Sequence, residues 1–232
     1  EAHPVSMVHM LHAKENGAKL IVADPRFTRT AAKADLYVRF RSGTDIPVLF
    51  GLLYHIFKNG WEDKQYINDR VFGMEQVREE VLAKWTPDKV EEASGLPEAV
   101  LAQAAEMMAM NRPSTLVWCM GQTQHSIGNA MVRASCIVQL ALGNVGVSGG
   151  GANIFRGHDN VQGATDIGPN PDSLPGYYGL AAGSWKHWCA VWGCDYEWMK
   201  SRFAPGMMTK PGTTVSRWID AVLEKEDTMD QP

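Results

Sequence analysis

Short, uninterrupted apolar runs alternate along this chain with longer stretches whose apolar residues recur at helical spacing. That alternation limits the fold more than any other feature. Lys19-Leu20-Ile21-Val22-Ala23 is apolar on every side chain after its lysine and stops at Asp24-Pro25-Arg26, the mark of a parallel strand covered on both faces. Leu36 to Phe40 predicts a second strand, closed by the turn Arg41-Ser42-Gly43, and Ser114 to Met120 a third, broken by Gly121. Between them the spacing predicts helices over 5–16, from 44 or 45 to the Asn59-Gly60 stop, and over 65–68, 74–84, 87–93, 97–111 and 129–142. Strands separated by helices imply βαβ units and a mainly parallel sheet with helices on both faces, an α/β fold.

In such folds ligands bind beyond the carboxyl ends of the strands. Two segments stand there: Asp24-Pro25-Arg26, and Gly121-Gln122-Thr123-Gln124-His125. A carboxylate at a strand end accepts hydrogen bonds from ribose hydroxyls, and Arg26 or Arg29 offers a fork for phosphate oxygens, so the first segment suits a nucleotide. Asp45 admits two readings. It can pair with the N1–H and amino group of guanine, or it can cap the helix that begins beside it, with Thr44 as the alternative cap. The sequences G-x-G-x-x-G and G-x-x-x-x-G-K-[ST] are both absent, so neither common phosphate-binding loop explains a nucleotide here.

The tract from Gly149 to Asp166 has a different character. Gly149-Gly150-Gly151-Ala152-Asn153-Ile154-Phe155-Arg156-Gly157-His158-Asp159-Asn160-Val161-Gln162-Gly163-Ala164-Thr165-Asp166 combines one guanidinium, one imidazole and several amides with five glycines and few apolar side chains. It reads as irregular backbone that can approach a bulky ligand closely. Arg156 can grip a small carboxylate in two places, or serve as an ordinary phosphate or surface partner. His158 can relay a proton or donate a hydrogen bond.

Other features carry less chemistry. With 232 residues, 45% hydrophobic and 21% charged, the chain has enough apolar material for one large or two modest domains. Its net charge of -4 and scattered basic residues argue against a nucleic-acid partner. Cys119, Cys136, Cys189 and Cys194 match no paired zinc spacing and read as buried or half-buried thiols. His3 reads as a structural histidine, Met107, Met108 and Met110 as core filling, and Trp185, Trp188, Trp192 and Trp198 as core or subunit interface. Glu91-Glu92 and the group from Glu224 to Asp227 read as solvated faces. The chain opens on Glu1-Ala2-His3-Pro4 without a leader, which reads as an internal piece of something longer.

Several motifs, in order along nearly the whole chain, resemble one family. They are Glu1-Ala2-His3-Pro4, Ile21-Val22-Ala23-Asp24-Pro25-Arg26-Phe27-Thr28-Arg29-Thr30, Ser42-Gly43-Thr44-Asp45-Ile46, Met120-Gly121-Gln122-Thr123-Gln124-His125, and the tract through Gln162-Gly163. The family is the catalytic alpha subunits of molybdenum- or tungsten-dependent formate dehydrogenases, within the molybdopterin oxidoreductases related to dimethyl sulfoxide reductase. The segment from Arg156 to Gly163 resembles the formate dehydrogenases in particular.

The resemblance implies a Rossmann-like αβα domain over 1–158 that binds molybdopterin guanine dinucleotide, and the start of a second αβα domain over 159–232. It implies a bis-molybdopterin guanine dinucleotide cofactor with molybdenum or tungsten, with formate as substrate. Glu1, Asp24, Arg26, Gly43 and Asp45 match positions lining one dinucleotide, and Met120, Gly121, Thr123 and Gln124 positions near pterin and metal. Arg156 matches the arginine that orients formate, and His158 a neighbouring position often held by Gln or Glu. No residue here matches the metal ligand; that ligand and the cysteines of a [4Fe-4S] cluster would lie upstream of Glu1, and the domain closing over the second dinucleotide downstream of Pro232. An iron-sulfur beta subunit, a cytochrome b subunit and a periplasmic location, or alternatively a cytoplasmic one, follow from the same resemblance. A nitrate or polysulfide reductase, or a non-catalytic cofactor-binding fragment, are the competing expectations.

Overall fold

The computed structural model of the chain describes residues 2–168, 173–202 and 223. It divides into two compact units, Glu1–Gly157 and His158–Pro232.

The first unit is α/β. Helix α1 (Pro4–Glu15) starts on a proline, which fits the first turn, and stops before Gly17, whose φ of 95° favours glycine. Strand β1 (Ile21–Ala23) pairs in parallel with β2 (Leu36–Val38), Ile21 opposite Leu36 and Ala23 opposite Val38. The Asp35 carboxylate accepts from the Leu20 amide at 2.7 Å and fixes this register at its entrance. That bond also holds the Asp35 carboxyl below its usual range, with Lys14 at 3.3 Å adding to the effect.

Helix α2 (Asp45–Lys58) is the central element: Leu53 and Ile56 are fully buried and Val48, Leu49, Leu52 and Phe57 nearly so. Around it pack α4 (Met74–Lys84), α5 (Pro87–Ser94), α6 (Glu98–Met110) and α8 (Gly128–Ala141), which bring Val81, Val90, Leu101 and Val138 into one core, while α3 (Lys64–Arg70) lies against α8. Asp63 caps α3 by accepting from the Tyr66 amide at 2.9 Å. Glu62 is buried and pairs with Arg78 at 2.7 Å, whose guanidinium lies over the Phe57 ring at 4.8 Å. A lone buried carboxylate would be costly, so this pair holds α4 against the end of α2.

A second parallel pair joins β3 (Thr115–Trp118) to β4 (Gly151–Ile154), with Thr115 opposite Gly151 and Trp118 opposite Ile154. The crossover runs through α7 (Met120–Thr123) and α8. Strands pair in parallel, as the alternation predicted, with the hydrogen-bonded ladders among the described residues falling into two separate pairs. The third strand ends at Trp118 rather than Met120, because Met120 opens the one-turn helix α7.

The glycine-rich tract is more regular than its composition suggested. Residues 151–154 are β4, and 161–167 form α9 (Val161–Ile167) in the second unit. Glycine carries no strand signal; here the ladder to β3 and the buried Gln139 amide, donating to the carbonyls of Ser114 (2.9 Å) and Gly151 (2.5 Å), impose the extended conformation. Asn144, also buried, completes the network by donating to the Ser114 hydroxyl (2.9 Å) and to Gln139 Oε1 (3.0 Å) and accepting from the Ser114 amide.

The second unit contains α9, α10 (Ala182–Trp192) and α11 (Tyr196–Lys200). Trp188 lies 5.5 Å from Trp192 and edge-on to Tyr178, itself stacked on His187. Trp192 and Trp198 are exposed, so that part of the tryptophan run is not core within this chain. Met110 is exposed too, because Ala105 and Ala109 occupy the buried stripe of α6. Of the four free thiols Cys189 is buried and the others half-buried. Among the described residues no helix is long and apolar enough to cross a membrane. The acidic group from Glu224 to Asp227 lies outside the described residues.

Candidate functional site

The carboxyl ends of β1 and β2 open on a cleft of ≈ 360 Å³ lined by Pro25, Arg39, Phe40, Arg41, Ser42, Ser94 and Gly95. Asp24 leaves β1 in a tight turn in which its Oδ1 accepts from the Arg26 amide at 2.7 Å, and the Tyr37 hydroxyl donates to its carbonyl at 2.8 Å. One carboxylate oxygen is thereby fixed by the backbone. Arg41 is spent on structure: its Nη1 donates to the carbonyls of Glu92 (2.6 Å) and Ala93 (3.2 Å) at the end of α5, where a cation also suits the helix dipole. Arg39 is the cation left over. It is exposed, lines the cleft and makes no hydrogen bond or ion pair with the described residues. Sequence reasoning missed it, because nothing in Tyr37-Val38-Arg39-Phe40-Arg41 tells which of two arginines the α5 carbonyls will occupy.

Gly43 (φ 83°) turns the chain from this cleft into α2, with open space where a Cβ would stand. Neither expected side-chain cap forms: the Thr44 hydroxyl donates back to the Arg41 carbonyl at 2.6 Å, and Asp45 sits in the first turn of α2. There it is half-buried, and desolvation pushes its carboxyl above the usual range against the opposing charge of His125. The fold thus places the Gly43-Thr44-Asp45 turn near the segment following β3.

Because β3 and β4 are parallel, their carboxyl ends leave the sheet at one edge. The Phe155 amide still donates to the Trp118 carbonyl at 2.9 Å, so Arg156 emerges directly beside Met120–Gln124. Thr123 is tied down by its hydroxyl, which donates to the Cys119 carbonyl at 3.3 Å, and Gln122 by its amide, which donates to Ser135 at 2.6 Å and to the Met131 carbonyl at 3.2 Å. Met120, Gly121 and Gln124 face outward. The Arg156 guanidinium is exposed and makes no hydrogen bond or ion pair with the described residues. His158 belongs to the second unit, where its carbonyl accepts from the Val161 amide at 3.4 Å. His3 packs on the Phe155 ring with centroids 4.9 Å apart. Glu1 lies outside the described residues.

The glycines of the tract serve different ends. A Cβ on Gly150 would meet the Asn144 carbonyl at 2.2 Å, so that glycine makes room for the chain itself. Gly121 and Gly157, which follow the carboxyl ends of β3 and β4, face open space, which leaves clearance for a ligand at that edge. Among the described residues there is no group of three or more metal-ligating side chains. Two uncommitted arginines, two carboxylates at strand and helix ends and a nucleotide-sized cleft fit the phosphate and base ends of a dinucleotide-bearing pterin.

Comparison with known proteins gives a consistent picture. Residues 1–208 match the model of the molybdopterin oxidoreductases. The alpha subunit of F420-dependent formate dehydrogenase 1 from Methanococcus maripaludis is 34% identical over 215 residues, 93% of this chain and 32% of its own length. Formate dehydrogenase H of Escherichia coli is 35% identical over 196 residues, 84% of this chain and 27% of its own. Acetylene hydratase from Pelobacter acetylenicus superposes with a TM-score of 0.59 at 30% identity, covering 62% of this chain and 20% of the hydratase. The chain spans about a third or less of the length of these relatives.

Proposed function

The chain belongs to the molybdopterin oxidoreductase family, and from that premise we propose that it forms part of the catalytic subunit of a formate dehydrogenase, lining a bis-molybdopterin guanine dinucleotide with Asp24, Arg26, Arg39, Gly43 and Asp45 and orienting formate with Arg156. The bound group supplies the two-electron redox chemistry that takes formate to carbon dioxide. The observation that carries the reading is the place of Arg156: an unengaged guanidinium at the shared carboxyl edge of β3 and β4, beside Met120–Gln124.

Formate is planar, with two oxygens and one C–H bond. A guanidinium fork holds both oxygens and leaves the C–H bond directed away from the arginine, an orientation that a point-charge ammonium does not impose. A fixed cation also stabilises a carboxylate within a water-poor site. His158, two residues on, is proposed to hold a hydrogen bond to the cofactor, with proton acceptance as the alternative role. Asp45, half-desolvated at the start of α2, would accept from the paired N–H donors of guanine, which would recover part of the cost of burying its charge. A [4Fe-4S] cluster and an iron-sulfur beta subunit would carry the electrons onward, and fractionation of tagged full-length protein would test the periplasmic location proposed with them.

The test is formate-dependent dye reduction by the full-length protein carrying Arg156→Ala or Arg156→Lys, with cofactor content measured alongside. Loss of one charged donor at a reacting site typically lowers turnover by about 10²–10³-fold, and lysine should recover only part of it. Undiminished turnover at unchanged cofactor content would remove Arg156 from the reaction. The likeness to a hydratase shows that this fold hosts more than one chemistry, so the same preparation should be offered nitrate and polysulfide as competing substrates.

A further inference from the structure

Helix α10 ends in a left-handed cap that sets two cysteines side by side. Gly193 has a φ of 70°, and its amide donates to the Ala190 carbonyl at 3.3 Å; the next amide, that of Cys194, reaches back to the Cys189 carbonyl at 2.8 Å. These two bonds define a Schellman cap, in which the residue after the left-handed glycine lies against the residue three places before the helix end. Usually an apolar contact fills that pairing; here the two residues are Cys194 and Cys189. The Cys194 thiol folds back over the last turn, its Sγ 3.8 Å from the Trp192 carbonyl. Both thiols are reduced, Cys189 buried and Cys194 half-buried.

We propose that Cys189 and Cys194 form a dithiol site that a small disulfide oxidises to an intramolecular disulfide across the C-terminal cap of α10. Disulfides need Cα atoms about 4.4–6.8 Å apart, a range that a backbone bond between the same two residues favours. The order of events follows from exposure. Cys194, the more accessible thiol, attacks one sulfur of the small disulfide as thiolate, expels the first small thiolate and is left as a mixed disulfide. Cys189 then loses its proton, attacks Cys194 Sγ and expels the second. Two electrons pass from the cysteine sulfurs to the small disulfide, whose two thiolates take up the two protons. Burial, with Cys194 and Asp195 close by, raises the Cys189 thiol above its usual range, which suits a resolving rather than an attacking cysteine.

Trypsin releases both cysteines in the single peptide His187–Lys200, which makes the site directly readable. Full-length protein equilibrated in mixtures of reduced and oxidised dithiothreitol, acid-quenched and alkylated, should yield this peptide two hydrogens lighter and free of alkyl groups. The ratio of disulfide to dithiol should be at least about tenfold higher in the folded protein than in guanidinium chloride, because the cap pre-arranges the thiols. With oxidised glutathione, Cys189→Ser should leave a persistent mixed disulfide on Cys194, whereas Cys194→Ser should leave Cys189 unmodified. Equal ratios in folded and unfolded protein, or oxidation that yields only mixed or intermolecular disulfides in the unsubstituted chain, would overturn the proposal.

Discussion

At the residue scale the competition is between structural and functional use of the same side-chain chemistry. Arg41 and Arg39 lie two places apart on one strand exit, yet Arg41 is consumed by the α5 carbonyls while Arg39 is left facing the cleft. Asp45 shows the opposite tension. Desolvation raises its carboxyl, so the folded state binds a proton more readily than the unfolded chain. Its unfavourable contribution is therefore fully present at neutral pH and is relieved as pH falls through the raised value toward the ordinary carboxylate value of about 3.9. Asp45→Asn is expected to raise the Tm of cofactor-free protein at pH 7, with the gain vanishing below about pH 4, and to weaken binding of guanine nucleotides. Thermal melts across that range and a titration with GMP check both halves. A Tm gain that persists at pH 3 would mean that the charge is not the cause.

At the element scale, periodicity and end signals made α2, α4 and α6 legible. Gly17 and the Asn59-Gly60 pair mark helix ends, and Pro87 sits in the first turn of α5. What could not be read was structure imposed from outside the segment. Strand β4 is held by its ladder to β3 and by Gln139, twelve residues away from Gly151 in sequence; α7 is a single turn. Gly51, inside α2, would ordinarily be marked as a helix weakness. Its missing Cβ is where α5 and α6 approach: a methyl there would lie 2.6 Å from Leu101 Cδ2 and 2.9 Å from Val90 Cγ1, both fully buried. Gly51→Ala gains about 1 kcal/mol of helix propensity, but overpacking a filled core costs about 1–3 kcal/mol. The net result is expected to be a loss of stability in chemical denaturation, with the α-helical signal retained; a more stable variant would show that α5 and α6 move apart easily.

At the scale of the whole molecule, the first unit contains the complete core built on α2 and both parallel strand pairs. Residues 1–157 expressed alone are therefore expected to unfold in one cooperative transition, coincident by far-UV circular dichroism and by the fluorescence of Trp61, Trp85 and Trp118. Transitions that separate by probe would show that this core depends on other parts of the protein. The sequence by itself determined the class of fold, because apolar runs and helical spacing are local consequences of which side chains must leave water. It also singled out Asp24, Asp45, Met120–Gln124 and Arg156 as the residues with chemistry to offer, since charge and hydrogen-bonding capacity belong to the side chain wherever it lies. Only the tertiary structure decided which of them share an edge. Parallel pairing of β3 with β4 brings Arg156 beside Met120–Gln124, and the approach of α2 to the segment after β3 sets Asp45 against the charge of His125. Those are contacts between segments distant in sequence, fixed by packing and backbone hydrogen bonds that no local pattern encodes.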